Sequence, residues 1–154
     1  MDFFSVINNS DDHYRGICNN FLYYLKKVNL EKDHELIEVE GKTDGYGNEG
    51  FLQTVYKKLH FTRQKLIQGK KVWVSDLDIV FLKNPKNYLL NLLNDYDILF
   101  QPDRDNLCTG FYMVKPTPLT VDLFEDQIDL KPNWNDQQII NWKIRNKNQK
   151  YKDL

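Results

Sequence analysis

Apolar residues along this chain alternate between short continuous runs and stripes at helical spacing. Phe3 to Ile7 is a short apolar run closed by Asn8-Asn9-Ser10-Asp11-Asp12, which predicts a first strand, a polar loop and a helix start. Tyr14, Ile17, Cys18, Phe21, Leu22 and Leu25 then recur at the 3.6-residue period, the stripe of an amphipathic helix. Glu35 to Val39 predicts a second strand, so the chain opens as a βαβ unit. Gly41 to Gly50 holds four glycines among acids and a tyrosine, without the spacing of a phosphate-binding loop, and reads as a connection or a flexible lid. Phe51 to Gln68 is helical, with Leu52, Val55, Leu59 and Leu66 on one side and Lys57, Lys58, Arg63 and Lys65 among the others, and Gly69 ends it.

Val72-Trp73-Val74 is a run of β-formers without helical periodicity, the mark of a strand covered on both faces, and Asp76 and Asp78 stand where it ends. Asn84-Pro85 closes the apolar stretch that follows; Tyr88 to Leu93 predicts a short helix with Leu89, Leu92 and Leu93 inward. Asp97 to Phe100 predicts a strand, Gln101 to Asn106 a polar loop, and Cys108 to Val114 a further strand. Pro116 and Pro118 lead into a helix through Leu119 to Gln127. Lys131-Pro132-Asn133 is a turn, Asn135 to Ile144 a last helix, and Arg145 to Lys152 a solvated basic tail. No repeat or linker divides the chain, so residues 1–154 read as one α/β domain.

Composition narrows the partners more than it names them. A net charge of −1 gives no reason to expect nucleic acid or an anionic membrane, and no stretch approaches the roughly 20 apolar residues needed to span a bilayer. The apolar start gives way to Asn8-Asn9, unlike a secretory leader, and Cys18 and Cys108 have no metal or redox spacing. The expectation is a cytoplasmic chain with two buried thiols.

Two carboxylates at the end of a buried strand repel each other and are costly to desolvate. Either one caps a turn while the other faces water, or a divalent cation offsets both costs. Loops at the carboxyl ends of parallel strands converge on ligands, so Asp76-Leu77-Asp78, Gln101 to Asn106 and Asn135-Asp136-Gln137 are candidate walls of one acidic, amide-rich pocket. Oxygen ligands of this kind suit Mg²⁺ or Mn²⁺ carrying a diphosphate. His13, His34 and His60 all lie in the first half with no serine or cysteine elbow beside them, so a nucleophilic triad is not expected.

These residues resemble the nucleotide-diphospho-sugar transferases, glycosyltransferases of GT-A fold with an Asp-x-Asp motif. The resemblance rests on Lys58 to Gly69 followed by KVWVSDLDIVFLKNP, then DILFQPD, CTGFYMVKPTPLT and WNDQQIIN in the family's order, from Lys58 to Asn141. It implies a GT-A-like, mostly parallel sheet flanked by helices, compact or C-terminally short. The implied activity is metal-dependent transfer of a hexosyl or pentosyl group from a nucleotide sugar, with UDP-sugars favoured. The implied acceptor is a hydroxyl of a glycan, including one carried on a protein, and the implied cofactor is Mn²⁺ or Mg²⁺.

By position, the resemblance makes Asp78 the direct metal ligand, with Asp76 at the ribose or in the metal's shell. Lys58 falls near the nucleotide or its phosphates, and Asn8, Asn9, Ser10 and Asp11 fall near the base and ribose. Asp103 and Gly110 border the donor sugar, Asp136 bonds its hydroxyls, and Gln137 sits near the anomeric carbon. The pattern departs from the family in having no histidine after His60 to serve as a late metal ligand and in stopping at Leu154, as a compact member or an excised module would. Two other readings of the motif remain: a HAD-type phosphatase, with Asp76 as nucleophile and Asp78 as acid/base, and a non-catalytic sugar-nucleotide-binding domain.

Overall fold

The computed structural model describes residues 1–8, 12–39, 49–125 and 133–146. Its elements run β1 (Asp2–Asn8), α1 (Asp12–Lys27), β2 (His34–Val39), α2 (Glu49–Ile67), β3 (Val72–Ser75), α3 (Lys86–Asp95), β4 (Ile98–Asp103), β5 (Asn106–Val114), α4 (Pro118–Leu123) and α5 (Asp136–Asn146). The strands form one sheet in the order β2-β1-β3-β5-β4. β1 is parallel to β2 and β3, while β5 is antiparallel to β3 and β4. Only β5 therefore runs against the other four, and the sheet is mostly parallel in direction though mixed in pairing.

The apolar runs are continuous because helices cover both faces. Phe4, Val72, Val74, Tyr112 and Val114 point to one side, where α2, α4 and α5 supply Leu59, Leu66, Leu123, Ile139 and Ile140. Phe3, Trp73 and Met113 point to the other, against Phe21 and Leu25 of α1, Leu93 of α3, and Phe81. Trp73 is fully buried and stacks on Phe3 at 4.0 Å between ring centroids.

Helix ends follow local chemistry. Gly69 takes φ 76°, and Gly69 N donates to Leu66 O while Lys70 N donates to Lys65 O, the paired bonds of a Schellman stop. Asn29 does the same for α1 at φ 57°, with Leu30 N donating to Leu25 O. Thr117 caps α4 through a reciprocal bond with Thr120, and Pro118 opens its first turn. Lys143 of α5 is fully buried and donates through Nζ to the carbonyls of Asp122, Leu123 and Glu125, closing the C-terminal end of α4.

Several sequence expectations need correction. Gln101 to Asn106 is not a loop: β4 continues to Asp103 and β5 begins at Asn106, leaving only Arg104 and Asp105 as the turn. The hairpin tip is solvent-exposed, so it lacks the apolar alternation that would have marked it. Lys58 belongs to the buried side of α2, because position 58 falls beside Val55 and Leu59 on the same stripe. Leu22 is exposed although it fits the stripe of α1, and Cys108 is only half-buried, in contrast to Cys18. Asn9, Ser10, Asp11, the glycine-rich stretch up to Asn48, Gln127, the Lys131-Pro132 turn and the tail beyond Asn146 lie outside the described residues. Among the described residues no helix is long and apolar enough to cross a membrane.

Candidate functional site

At the carboxyl ends of β1 and β3 the sheet opens into a pocket of about 440 Å³. Every described site residue singled out from the sequence lines it: Asn8 from the end of β1, Lys58 from α2, Asp76 and Asp78 after β3, Asp103 from β4, Gly110 from β5, and Asp136 and Gln137 from the first turn of α5. Sequence reasoning had assigned Tyr14, Ile17 and Val55 to core stripes; with Phe51 and Thr54 they form an additional wall of the pocket. Their position in the first turns of helices that follow β1 and β2 was the available signal.

The centre of the pocket is a buried ammonium held between two carboxylates. Lys58 Nζ donates to Asp76 Oδ1 at 2.9 Å and lies 2.7 Å from Asp136 Oδ2. Burial would lower the Lys58 pKa, but Asp136 and Asp76 outweigh it and hold the group charged, above the usual lysine range. Burial at the floor of the pocket pushes the Asp76 carboxyl up, against the pull of Lys58 and with Asp136 and Asp78 adding repulsion. The helix carbonyl of Lys58 accepts from Thr62 Oγ1 at 2.9 Å. Since that uses the single hydroxyl proton of Thr62, Tyr112 must donate to Thr62 Oγ1 across their 2.7 Å contact. The base of Lys58 is thus tied to β5.

Asp136 is buried, and its Oδ2 is taken up by the ion pair with Lys58. Asp78 is exposed and has no ion-pair partner among the described residues. Four carboxylates, Asp76, Asp78, Asp103 and Asp136, against the Lys58 ammonium leave the pocket with excess negative charge, which favours a cation. No group of three or more His, Cys, Asp or Glu side chains able to hold a metal occurs among the described residues.

Gly110 explains how closely the β5 wall approaches. Asp76 N donates to Gly110 O at 2.6 Å, and a Cβ on Gly110 would lie 3.0 Å from Asp76 Oδ2 and 3.3 Å from Cys108 Sγ. Opposite, Gln137 Nε2 donates to Asp103 Oδ2 at 3.0 Å, joining α5 to the tip of β4.

Comparison with known proteins places this geometry. A family model described as nucleotide-diphospho-sugar transferase matches residues 19–153. A curated relative, the UDP-galactose:fucoside alpha-3-galactosyltransferase of Dictyostelium discoideum, is 29% identical over 104 residues, covering 61% of this chain. The aligned part spans only 16% of that relative's length. The family match takes in Asp76-Leu77-Asp78 together with the helices and strands around it, and nothing in it favours the phosphatase reading of the same two aspartates. With the family model covering most of the chain over an α/β sheet of the GT-A kind, the chain belongs to the nucleotide-diphospho-sugar transferase family.

Proposed function

We propose that this chain moves a glycosyl group from a UDP-sugar to a hydroxyl acceptor, with Mn²⁺ or Mg²⁺ as cofactor. The observation that carries the reading is the Lys58–Asp76–Asp136 cluster at the end of β3, with Asp78 exposed beside it and without an ion-pair partner among the described residues. The donor atoms fit a hard cation, because Asp76 and Asp78 offer only oxygen. With no third protein ligand among the described residues, phosphate oxygens and water would complete the shell. Asp76 already accepts from Lys58, so Asp78 is favoured as the direct ligand. When bound, the ion would offset the negative charge that builds on a departing nucleotide diphosphate.

The protein groups supply position and charge. Half-buried Tyr14, Ile17 and Phe51 offer an apolar wall for a base, and Asn8 offers an amide beside it. Asp136 accepts from a sugar hydroxyl, and its carboxylate, like that of Asp103, stabilises positive character at the anomeric carbon. Gln137, held by Asp103, orients an amide at the same wall. Lys58 keeps Asp76 and Asp136 from repelling each other before the donor arrives. The name of the relative makes UDP-galactose the first donor and a fucoside the first acceptor to assay; a glycan on a protein is the natural setting for such an acceptor.

The test is thermal unfolding with UDP in the presence and absence of Mn²⁺. UDP at a hundred times its dissociation constant should add about 2.7 kcal/mol of stability. The gain should require Mn²⁺ and should vanish in Asp78→Ala. Absence of a shift with any nucleoside diphosphate at millimolar concentration sinks the proposal, and an intact Mn²⁺-dependent shift in Asp78→Ala sinks the metal assignment.

A further inference from the structure

The tip of the β4–β5 hairpin carries Asp103, yet the sheet does not hold it. β3 ends at Ser75, paired with Phe111, so on that side the part of β5 nearer Asn106 has no strand beside it among the described residues. Pairing between β4 and β5 jumps from Phe100↔Tyr112 to Gln101↔Cys108, which leaves residues 109–111 as a bulge and sets the tip apart from the sheet. Its turn also holds Arg104 at φ 52°, a left-handed conformation that a side chain of this kind adopts at a cost. A two-stranded hairpin of this length is marginal in water by itself.

One face of α5 does what β3 no longer does. Asn141 is buried; its Oδ1 accepts from Leu107 N at 2.9 Å and its Nδ2 donates to Leu107 O at 2.8 Å, the pair of bonds a neighbouring strand would make. The second amide proton goes to Gln137 O at 2.8 Å. Both carbonyls can only accept and Leu107 N can only donate, so the amide orientation is fixed and an aspartate could not replace it. One helical step further on, Arg145 Nη2 donates to Asp105 O at 2.7 Å and Asn106 Oδ1 at 2.8 Å. Gln137, Asn141 and Arg145, each four residues apart, therefore grip the tip at Asp103, Leu107 and the turn.

We propose that Asn141, backed by Arg145, is a positioning residue for the sugar-side wall of the pocket. It does not line the cavity. It fixes where Asp103 stands relative to Gln137 and Asp136, and so controls how much the glycosyl group adds to donor binding. The role rests on the nucleotide-sugar reading of the pocket.

Two measurements on wild type, Asn141→Asp and Asn141→Ala test it. The first is amide hydrogen exchange of residues 101–108 against residues 72–75. The second is calorimetric binding, with Mn²⁺, of UDP and of the best-bound member of UDP-galactose, UDP-glucose and UDP-xylose. The variants should exchange about tenfold faster at the tip, with β3 unchanged, as expected for local opening. Their affinity for UDP should stay within about twofold of wild type while the additional affinity from the sugar falls by about fivefold or more. Arg145→Gln, at an exposed position, should move both readouts in the same direction and by less, and it serves if Asn141→Ala does not fold.

Unchanged exchange at Leu107 in Asn141→Asp overturns the clamp. Equal losses for UDP and UDP-sugar, or a loosened tip with the sugar increment intact, overturn the positioning role. A wild-type chain with no Mn²⁺-dependent UDP binding overturns the nucleotide-sugar reading instead, and the sugar-wall role with it, whatever the exchange result.

Discussion

Among single residues, Gly110 and Lys58 constrain the same carboxylate from opposite sides. Lys58 holds Asp76 Oδ1, and Gly110 leaves just enough room for Asp76 Oδ2. Gly110→Ala places a methyl group 3.0 Å from that oxygen, and relieving the contact means pulling Asp76 off the ammonium or pushing β5 outward. Overpacking of this kind costs about 1–3 kcal/mol. Because the strain falls on the pocket, Mn²⁺-dependent UDP affinity should drop by about tenfold or more, with a smaller effect on the melting temperature. Calorimetric titration reads the first and thermal unfolding the second; an unaltered affinity would mean that Asp76 moves freely. The requirement for glycine could be read from the Cys-Thr-Gly sequence only as part of a motif, since the clash comes from a residue 34 positions earlier in the chain.

Among elements, β3 carries the most consequence for its four residues. Trp73 is fully buried between Phe3, Phe81 and Phe111, and its indole Nε1 is buried without a hydrogen-bond partner among the described residues. Trp73→Ala should cost about 3–5 kcal/mol through the cavity it opens. Trp73→Phe keeps the stacking on Phe3 and removes the unpaired N–H, so its cost should be smaller, about 1–2 kcal/mol. Urea unfolding of the two variants measures the difference, and equal costs would contradict the unpaired indole. This strand was legible in advance because both its faces are covered and Val72-Trp73-Val74 is apolar without a break. The tip of β4 and β5 was not, because exposed strand ends carry the same residues as a loop; only their pairing and the grip of α5 distinguish them.

Across the whole molecule, the three neighbouring parallel strands share a polar relay inside the α1 layer. Ser5 Oγ donates to Ser75 O at 2.6 Å, so His34 must donate its Nε2–H to Ser5 Oγ across 3.0 Å, a bond that the neutral Nε2–H tautomer and the imidazolium both make. Burial against Phe3 and Phe21 lowers the His34 pKa from 6.5 to about 4, with Glu35 opposing. A depressed folded-state pKa means that the unfolded chain binds the proton first. Stability contributed by neutral His34 is therefore complete above pH 6.5 and is lost as pH falls toward 4. The loss amounts to at most about 3 kcal/mol. His34→Gln should flatten that part of the stability profile, measured by urea unfolding between pH 7 and pH 4; a profile as steep as wild type would assign the effect to carboxylates instead.

The sequence by itself determined the order of strands and helices, the burial of β3, the place of Asp76 and Asp78 at its end, and the family. Those features depend on hydrophobic period, turn residues and motif order, all of which are local in the chain. Tertiary structure alone decided that β5 runs against its neighbours, that Lys58 is buried between Asp76 and Asp136, and that Cys108 stands at the pocket. It alone decided, too, that Asn141 takes the place of a strand beside Leu107. Each of these depends on partners 18 to 78 residues apart, or on the direction in which one strand meets another, and no local pattern of side chains encodes such distances.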